Sequence, residues 1–363
     1  MSWTPNVPIP DQQAKTTPAL AEFGGLLHLV HLGESSNDLW HSWYDGAGWR
    51  PNERIPDQQS KAPPALASYG GRLHLVHLGD SSNQLWHSLW DGQRWTANTQ
   101  IPGEKAHSAV AMAEFGGLLH LVHNGDSSNR LYHLVWDGQR WRQLMQIPGQ
   151  LAKGAPALAV HQGRLHLVHQ GDSSNALWHS TFDGSAWTTN VEIPGQQSKA
   201  APALAEVGGL LQLVHLGDSS NRIWHSTFDG GTWAPNIPVP HQFAEEAPAL
   251  AAYAEPGGTR LHMVHTGDSA DTLWHSSSDG ILVNRPTRRV VVIDIDGCRW
   301  DTFYRHLRRV RMAGASTEVA YRFELAPGAS DDTVLGDGAS TCSAGWASCA
   351  SVRTAGWSTS GCR

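Results

Sequence analysis

Between residues 64 and 101 the apolar and polar positions fall into four short stretches, 64–69, 72–78, 84–90 and 95–101. Each is apolar or alternating, none keeps a 3.6-residue period, and turn residues separate them, so the pattern predicts strands and not helices. The separators carry turn chemistry. Gly70-Gly71 permits positive φ, the run Gly79-Asp80-Ser81-Ser82-Asn83 supplies side chains that bond their own backbone, and Asp91-Gly92 is a strong hairpin signal.

The same phrase returns along the chain with a 46-residue period. Trp40-His41, Trp86-His87, Tyr132-His133, Trp178-His179 and Trp224-His225 are each 46 residues apart, and Trp274-His275 follows after 50. Four antiparallel strands in about 46 residues match one blade of a β-propeller. The opening Trp3-Thr4-Pro5-Asn6 repeats Trp49-Arg50-Pro51-Asn52, the start of a fourth strand, whereas the sixth unit stops at Asp279-Gly280 without one. An N-terminal strand that completes the last blade would close the ring without an exposed edge. The expected architecture is therefore all-β: a six-bladed propeller over residues 1–280, then a linker at 281–289. A strand-helix fragment at 290–312 and a low-complexity tail at 313–363, α/β-like or disordered, would follow.

Composition supports that boundary. Twenty of the 21 histidines, 14 of the 17 tryptophans and all five lysines precede residue 281, whereas Cys298, Cys342, Cys349 and Cys362 all follow it. Up to residue 284 there are 15 Lys and Arg against 25 Asp and Glu, which argues against nucleic acid as a partner. No run reaches the roughly 18 apolar residues of a membrane span, and no basic flank followed by an apolar stretch opens the chain. The chain reads as soluble, with no visible export signal.

The chemistry-bearing residues recur with the period. Strand two of each unit carries His-x-x-His, as in His28/His31, His74/His77, His120/His123, His166/His169 and His262/His265, and strand three carries the aromatic-histidine pair. Alternation puts the two histidines on opposite faces, so one strand cannot chelate one ion, and Gln212 replaces the first histidine of the fifth copy. No cofactor is expected for the ring. One reading of these residues is seam packing, in which indoles supply apolar area and imidazoles satisfy buried polar groups. The other is a sugar site repeated at each seam, with indole faces stacked on pyranose C–H faces and neutral groups reading the hydroxyls. The candidate contacts are then Trp40, Trp86, Trp178, Trp224 and Trp274, with His41, His87, His133, His179, His225 and His275 on strand three, and His77, His123, His169, His215 and His265 on strand two. The recurrent loop acids Glu34, Asp80, Asp126, Asp172, Asp218 and Asp268 are most simply turn residues bonded within their own loop.

The phrase Leu-His-Leu-Val-His-x-Gly-Asp-Ser-Ser-Asn-x-Leu-Trp-His-Ser-x-x-Asp-Gly-x-x-Trp resembles the repeats of bacterial PLL-like fucose-binding lectin propellers and, more loosely, sialidase-type repeats. That lectin group usually has seven blades; six is the number in fungal fucose lectins. The resemblance implies a carbohydrate-binding propeller with glycans as partners. A sialidase would need an arginine cluster and a Tyr/Glu nucleophile pair, but Arg72, Arg94, Arg130, Arg140, Arg164 and Arg222 are scattered. A protein-interaction platform is a further reading of the same ring.

Past Arg288-Arg289, the run Val290-Val291-Val292-Ile293-Asp294-Ile295-Asp296-Gly297 is a buried-strand pattern ending in carboxylates, followed by an amphipathic stretch at 300–311. Strand, acidic turn and helix in that order place a metal ligand in α/β phosphoesterases. The segment resembles the opening of the alkaline phosphatase/nucleotide pyrophosphatase superfamily, which implies Asp296 as a first metal ligand, with zinc or magnesium only if the domain were complete. A haloacid-dehalogenase reading lacks Thr or Val at Cys298. No Ser/Thr nucleophile motif follows and His306 is the last histidine. The expectation is a remnant of a phosphoesterase domain, truncated or frame-shifted, whose propeller would have been a targeting module; the alternative is a disordered tail.

Overall fold

The structure is a computed structural model that describes residues 3–279 and, beyond them, the strand segments Val292–Asp294, Leu307–Ala313, Ala320–Leu325, Ser351–Thr354 and Trp357–Thr359. The chain divides into two compact units, Met1–Val283 and Asn284–Arg363. The first is a β-propeller of six four-stranded antiparallel sheets. Its first complete blade runs from the axis outward through β2 (Ala19–Phe23), β3 (Leu26–Leu32), β4 (Asp38–Tyr44) and β5 (Glu53–Gln59). The second follows with β6 (Ala65–Tyr69), β7 (Arg72–Leu78), β8 (Gln84–Trp90) and β9 (Thr99–Lys105). The last blade is closed by β1 (Val7–Gln13), which pairs with Thr272–Ser278 so that Val7 faces His275 and Pro8 faces Trp274. Thr4 N and Ala14 N extend the closure by donating to the carbonyls of Ser277 and Asp271, each at 2.8 Å. The latch gives the sixth blade its fourth strand, so all six blades end on the same short outer strand.

Each blade packs both faces against neighbours, and the apolar core is accordingly six clusters, one per seam. In the seam between the first two blades, Val30, Leu32 and Leu39 meet Leu66, Leu73, Leu75 and Trp90. Leu-x-Leu-Val on the second strand supplies both faces at once, and this explains why that stretch is nearly continuous in apolar residues.

The fourth strand departs from expectation. It lies at Thr99–Lys105 and not at 95–101, because Trp95 forms a lone bridge with Trp90 across the Asp91-Gly92 turn before the chain re-engages opposite His87. Within it every copy has one residue at positive φ: Asp11 (55°), Asp57 (54°), Gly103 (77°), Gly149 (68°), Gly195 (68°) and His241 (56°). This local kink coincides with a register shift and turns the following side chain, such as Gln12 or Gln58, into the seam.

In the second unit Val292–Asp294 is a strand paired with Ser351–Thr354. Leu307–Ala313, whose first part was expected to end a helix, is instead a strand antiparallel to Ala320–Leu325. Within the stretch read as an α/β-like or disordered tail, Ala320–Leu325, Ser351–Thr354 and Trp357–Thr359 are strands. Asp296 and the cysteines lie outside the described residues. Among the described residues no helix is long and apolar enough to cross a membrane.

Candidate functional site

The seams hold a repeated hydrogen-bond relay. Trp95 Nε1 donates to His41 Nδ1 at 3.2 Å, His41 Nε2 lies 2.8 Å from His28 Nδ1, and His28 Nε2 lies 3.2 Å from the carbonyl of Phe23. An indole N–H is only a donor, so His41 Nδ1 must accept. Nε2–H of His41 then donates to His28 Nδ1, and Nε2–H of His28 donates to the carbonyl. Every ring nitrogen is used once, and both imidazoles are neutral. The same Trp-to-His-to-His links run through Trp141, His87 and His74; Trp187, His133 and His120; Trp233, His179 and His166; and Trp49, His275 and His262, where His262 Nε2 lies 3.1 Å from Glu255 Oε1 in place of a carbonyl. In the fifth blade Trp3 of the N-terminal segment donates to His225, which bonds Gln212 Oε1 at 2.8 Å while Gln212 Nε2 donates to the carbonyl of Val207. Glutamine offers one acceptor and one donor along the same line as neutral histidine, so Gln212 completes the relay.

Burial pushes these imidazoles well below their usual range: His41, His87, His133, His179 and His225 to about 3, and His28, His74 and His166 to about 4. Their partner imidazoles lower His41, His87, His133 and His179 further. Protonation would turn an accepting nitrogen into a donor and break the relay.

The second strand-two histidine lies on the opposite face, at the mouth beside the 79–83 type of loop. His31, His77, His169, His215 and His265 are buried, with Nδ1 2.7–3.0 Å from the carbonyl of the next residue. Asn52, Asn98, Asn190 and Asn236 donate to Nε2 of His31, His77, His169 and His215 at 3.3–3.5 Å. Leu144 stands in the asparagine's place in the third blade, and there Glu104 Oε2 lies 3.3 Å from His123 Nε2. Cross-strand from these histidines sit Trp40, Trp86, Tyr132, Trp178, Trp224 and Trp274, all half-buried. Each ring edge lies over the loop glycine: a methyl group on Gly79 would come within 3.0 Å of Trp86 Nε1, and one on Gly171 within 3.0 Å of Trp178 Nε1. The glycines thus set the indoles' height at the mouth.

Four of the loop acids, Asp80, Asp126, Asp172 and Asp218, bond to the loop of the preceding blade and not within their own. Asn37 Nδ2 donates to Asp80 of the next blade, as do Asn83 to Asp126, Asn129 to Asp172 and Asn175 to Asp218. Lys15, Lys61, Lys153 and Lys199 donate to the oxygens of Asn37, Asn83, Asn175 and Asn221. The 46-residue period hid this: an Asp and Asn of one copy look like partners until neighbouring copies are set side by side. Among the described residues no three His, Cys, Asp or Glu converge to hold a metal ion.

The structure therefore separates the sequence candidates. His41, His87, His133, His179, His225 and His275 lie inside the relays, whereas the indoles and His77, His123, His169, His215 and His265 gather at the loop-side mouths.

No family model matches the chain, and no curated protein does. Solved structures match its fold. The SapL1 lectin in complex with α-methyl fucoside aligns with TM-score 0.56 at 18% identity, covering 74% of this chain and 94% of that one. The Aleuria aurantia lectin in complex with α-methyl-L-fucoside gives 0.55 at 13%, covering 76% and 99%. The Hadza microbial sialidase Hz136 gives 0.56 at 13%, covering 72% of this chain and 65% of that one. At these identities the likeness is one of fold.

Proposed function

We propose that the propeller is a non-catalytic, lectin-like carbohydrate-binding module whose seams take neutral sugars. The observation that carries this is the half-buried aromatic ring, Trp40, Trp86, Tyr132, Trp178, Trp224 or Trp274, at one register position of all six blades. Each stands beside a buried histidine on the facing strand. An indole partly open to solvent offers a pyranose its flat apolar face, and the neighbouring amide and imidazole offer hydrogen bonds to hydroxyls without a fixed charge. The relay histidines serve such a site from behind, by holding the wall. The fucoside complexes of the SapL1 and Aleuria lectins, which share the fold, support the reading. Six shallow sites on one ring would gain strength by multivalency.

Binding of monosaccharides and of a multivalent glycan surface tests it. The expected result is millimolar affinity for the free sugar, a large gain on the surface, and a stoichiometry that falls by one site in Trp86→Ala. No sugar retained at millimolar concentration defeats the proposal.

A further inference from the structure

The mouths at the other end of the seams, beside the 91–92 type of turn, alternate around the ring. At one register position of the second strand stand Leu26, Leu118 and Leu210 in the odd blades and Arg72, Arg164 and Arg260 in the even ones. Phe23, Phe115 and Val207 precede the leucines, whereas Tyr69, His161 and Tyr253 precede the arginines. Three seams thus carry a guanidinium at this mouth.

Two of the three are closed. Arg260 Nε lies 3.5 Å from Glu255 Oε2, an acid supplied by the insertion of the sixth blade. Beside Arg164, Gln162 reaches across the seam to the carbonyl of Asp229 at 2.9 Å and fills the space over Gly230. The seam between the second and third blades has neither device. Gly70 stands where Gln162 does, and nothing lies within 4 Å of the side-chain position at Gly138. A cleft of about 340 Å³ opens there, with Leu89 and the half-buried indole of Trp136 as its apolar lining and Arg72 as its only cation. Arg72 is exposed, and no carboxylate among the described residues lies within 4 Å of it. Asp91, whose carboxyl senses its charge, is tied to the amides of Gln93 and Arg94 at 2.9 Å.

We infer that this cleft binds a carboxylate-bearing pyranose, with the Arg72 guanidinium gripping the carboxylate and Trp136 stacking on the ring. The guanidinium fork matches a carboxylate in two parallel hydrogen bonds, and an indole beside it suits the C–H face of the same sugar. The volume suits a monosaccharide. The inference rests on the carbohydrate reading but assigns a separate mouth and a different sugar class.

Uronic and sialic acids both carry the chemistry, so the test uses methyl β-glucuronide and methyl α-sialoside. Methyl β-glucoside, which differs from the glucuronide only in carrying CH2OH for the carboxylate, is the reference. The expected result is that one or both acidic probes bind at least tenfold more tightly than the glucoside, with the preference shrinking as salt is raised. In Arg72→Leu, which installs the residue that odd blades carry at this position, the preference disappears while binding of neutral sugars at the loop-side mouths is unchanged. In Trp136→Phe, the residue at this register in Phe182 and Phe228, acidic binding weakens but the preference stays. Equal binding of acid and glucoside by the unaltered protein, or an acid preference that survives Arg72→Leu, overturns the inference alone. Failure to bind either kind of sugar overturns it together with the carbohydrate reading.

Discussion

The interior of each seam and its turn-side mouth obey opposite rules. Inside, five blades use the same Trp-His-His relay, and the one substitution, Gln212, reproduces its donor and acceptor. A few ångströms away at the mouth, the corresponding positions run Leu26, Arg72, Leu118, Arg164, Leu210 and Arg260, with aromatic, histidine or valine beside them. The difference separates two kinds of constraint. Buried polar groups must be matched atom for atom, because an unmatched one costs about 1–3 kcal/mol. Mouth residues touch water and can differ from copy to copy without straining the ring. Repetition inside the seam therefore marks what holds the blades together, and departures from it at the turn-side mouth mark where one seam can differ in function from the next.

Acid is the strongest way to break the interior. In the unfolded chain the relay histidines titrate near the ordinary value of about 6.5, whereas burial lowers them in the fold, with His28, His41, His74, His87, His133, His179 and His225 held at about 3 to 4. Below 6.5 the unfolded state binds protons that the folded state refuses. The stability contributed by neutral burial is thus fully present above 6.5 and is lost as pH falls toward 4, by up to about 1.4 kcal/mol per pH unit for each such histidine. The propeller should unfold steeply between about pH 6 and 4, as read by tryptophan fluorescence. A denaturation midpoint that stays level from pH 7 to 5 would break the relay account.

Single relay positions give the next largest effects, and they should differ sharply. His41→Leu leaves Trp95 Nε1 and His28 Nδ1 buried without their partner, a cost of about 2–5 kcal/mol from two unmatched groups. His28→Gln installs what the fifth blade already uses and should cost less than about 1 kcal/mol. Chemical denaturation of both variants checks the pair, and equal losses would mean that packing, not hydrogen-bond matching, holds the interior.

Much of the ring was legible from the chain. The period, the Gly-Gly and Asp-Gly turns and the lone N-terminal strand all follow from local chemistry, and they give blade number and closure. The relay was less legible, because its links join residues 54 positions apart, as Trp95 to His41, so a histidine of one copy answers a tryptophan of the next. The Asn37 to Asp80 bond was missed for the same reason. The neutral role of the first strand-two histidine could have been read from Gln212: a site that tolerates glutamine for histidine needs one donor and one acceptor, not a titrating ring. The alternation of Leu26 and Arg72 was present in the sequence but is silent until the turns of adjacent blades are seen to meet.

The smallest effect tests the fourth strand, where repetition is enforced by backbone and not by side chains. All six copies place one residue near φ of +54° to +77°, occupied by Gly103, Gly149 and Gly195, by Asp11 and Asp57, and by the exposed His241. A side chain in the left-handed region costs roughly 1–2 kcal/mol, which aspartate partly recovers by bonding locally and glycine does not incur. Glycine also raises the entropy of the unfolded chain, which offsets part of the gain. His241→Gly should therefore stabilise the propeller by about 0.5–1 kcal/mol, and Asp57→Gly by less. If His241→Gly is neutral or destabilising while the His28→Gln variant remains silent, the kink is held by contacts of the histidine ring, and the equivalence of the six fourth strands fails at the last of them.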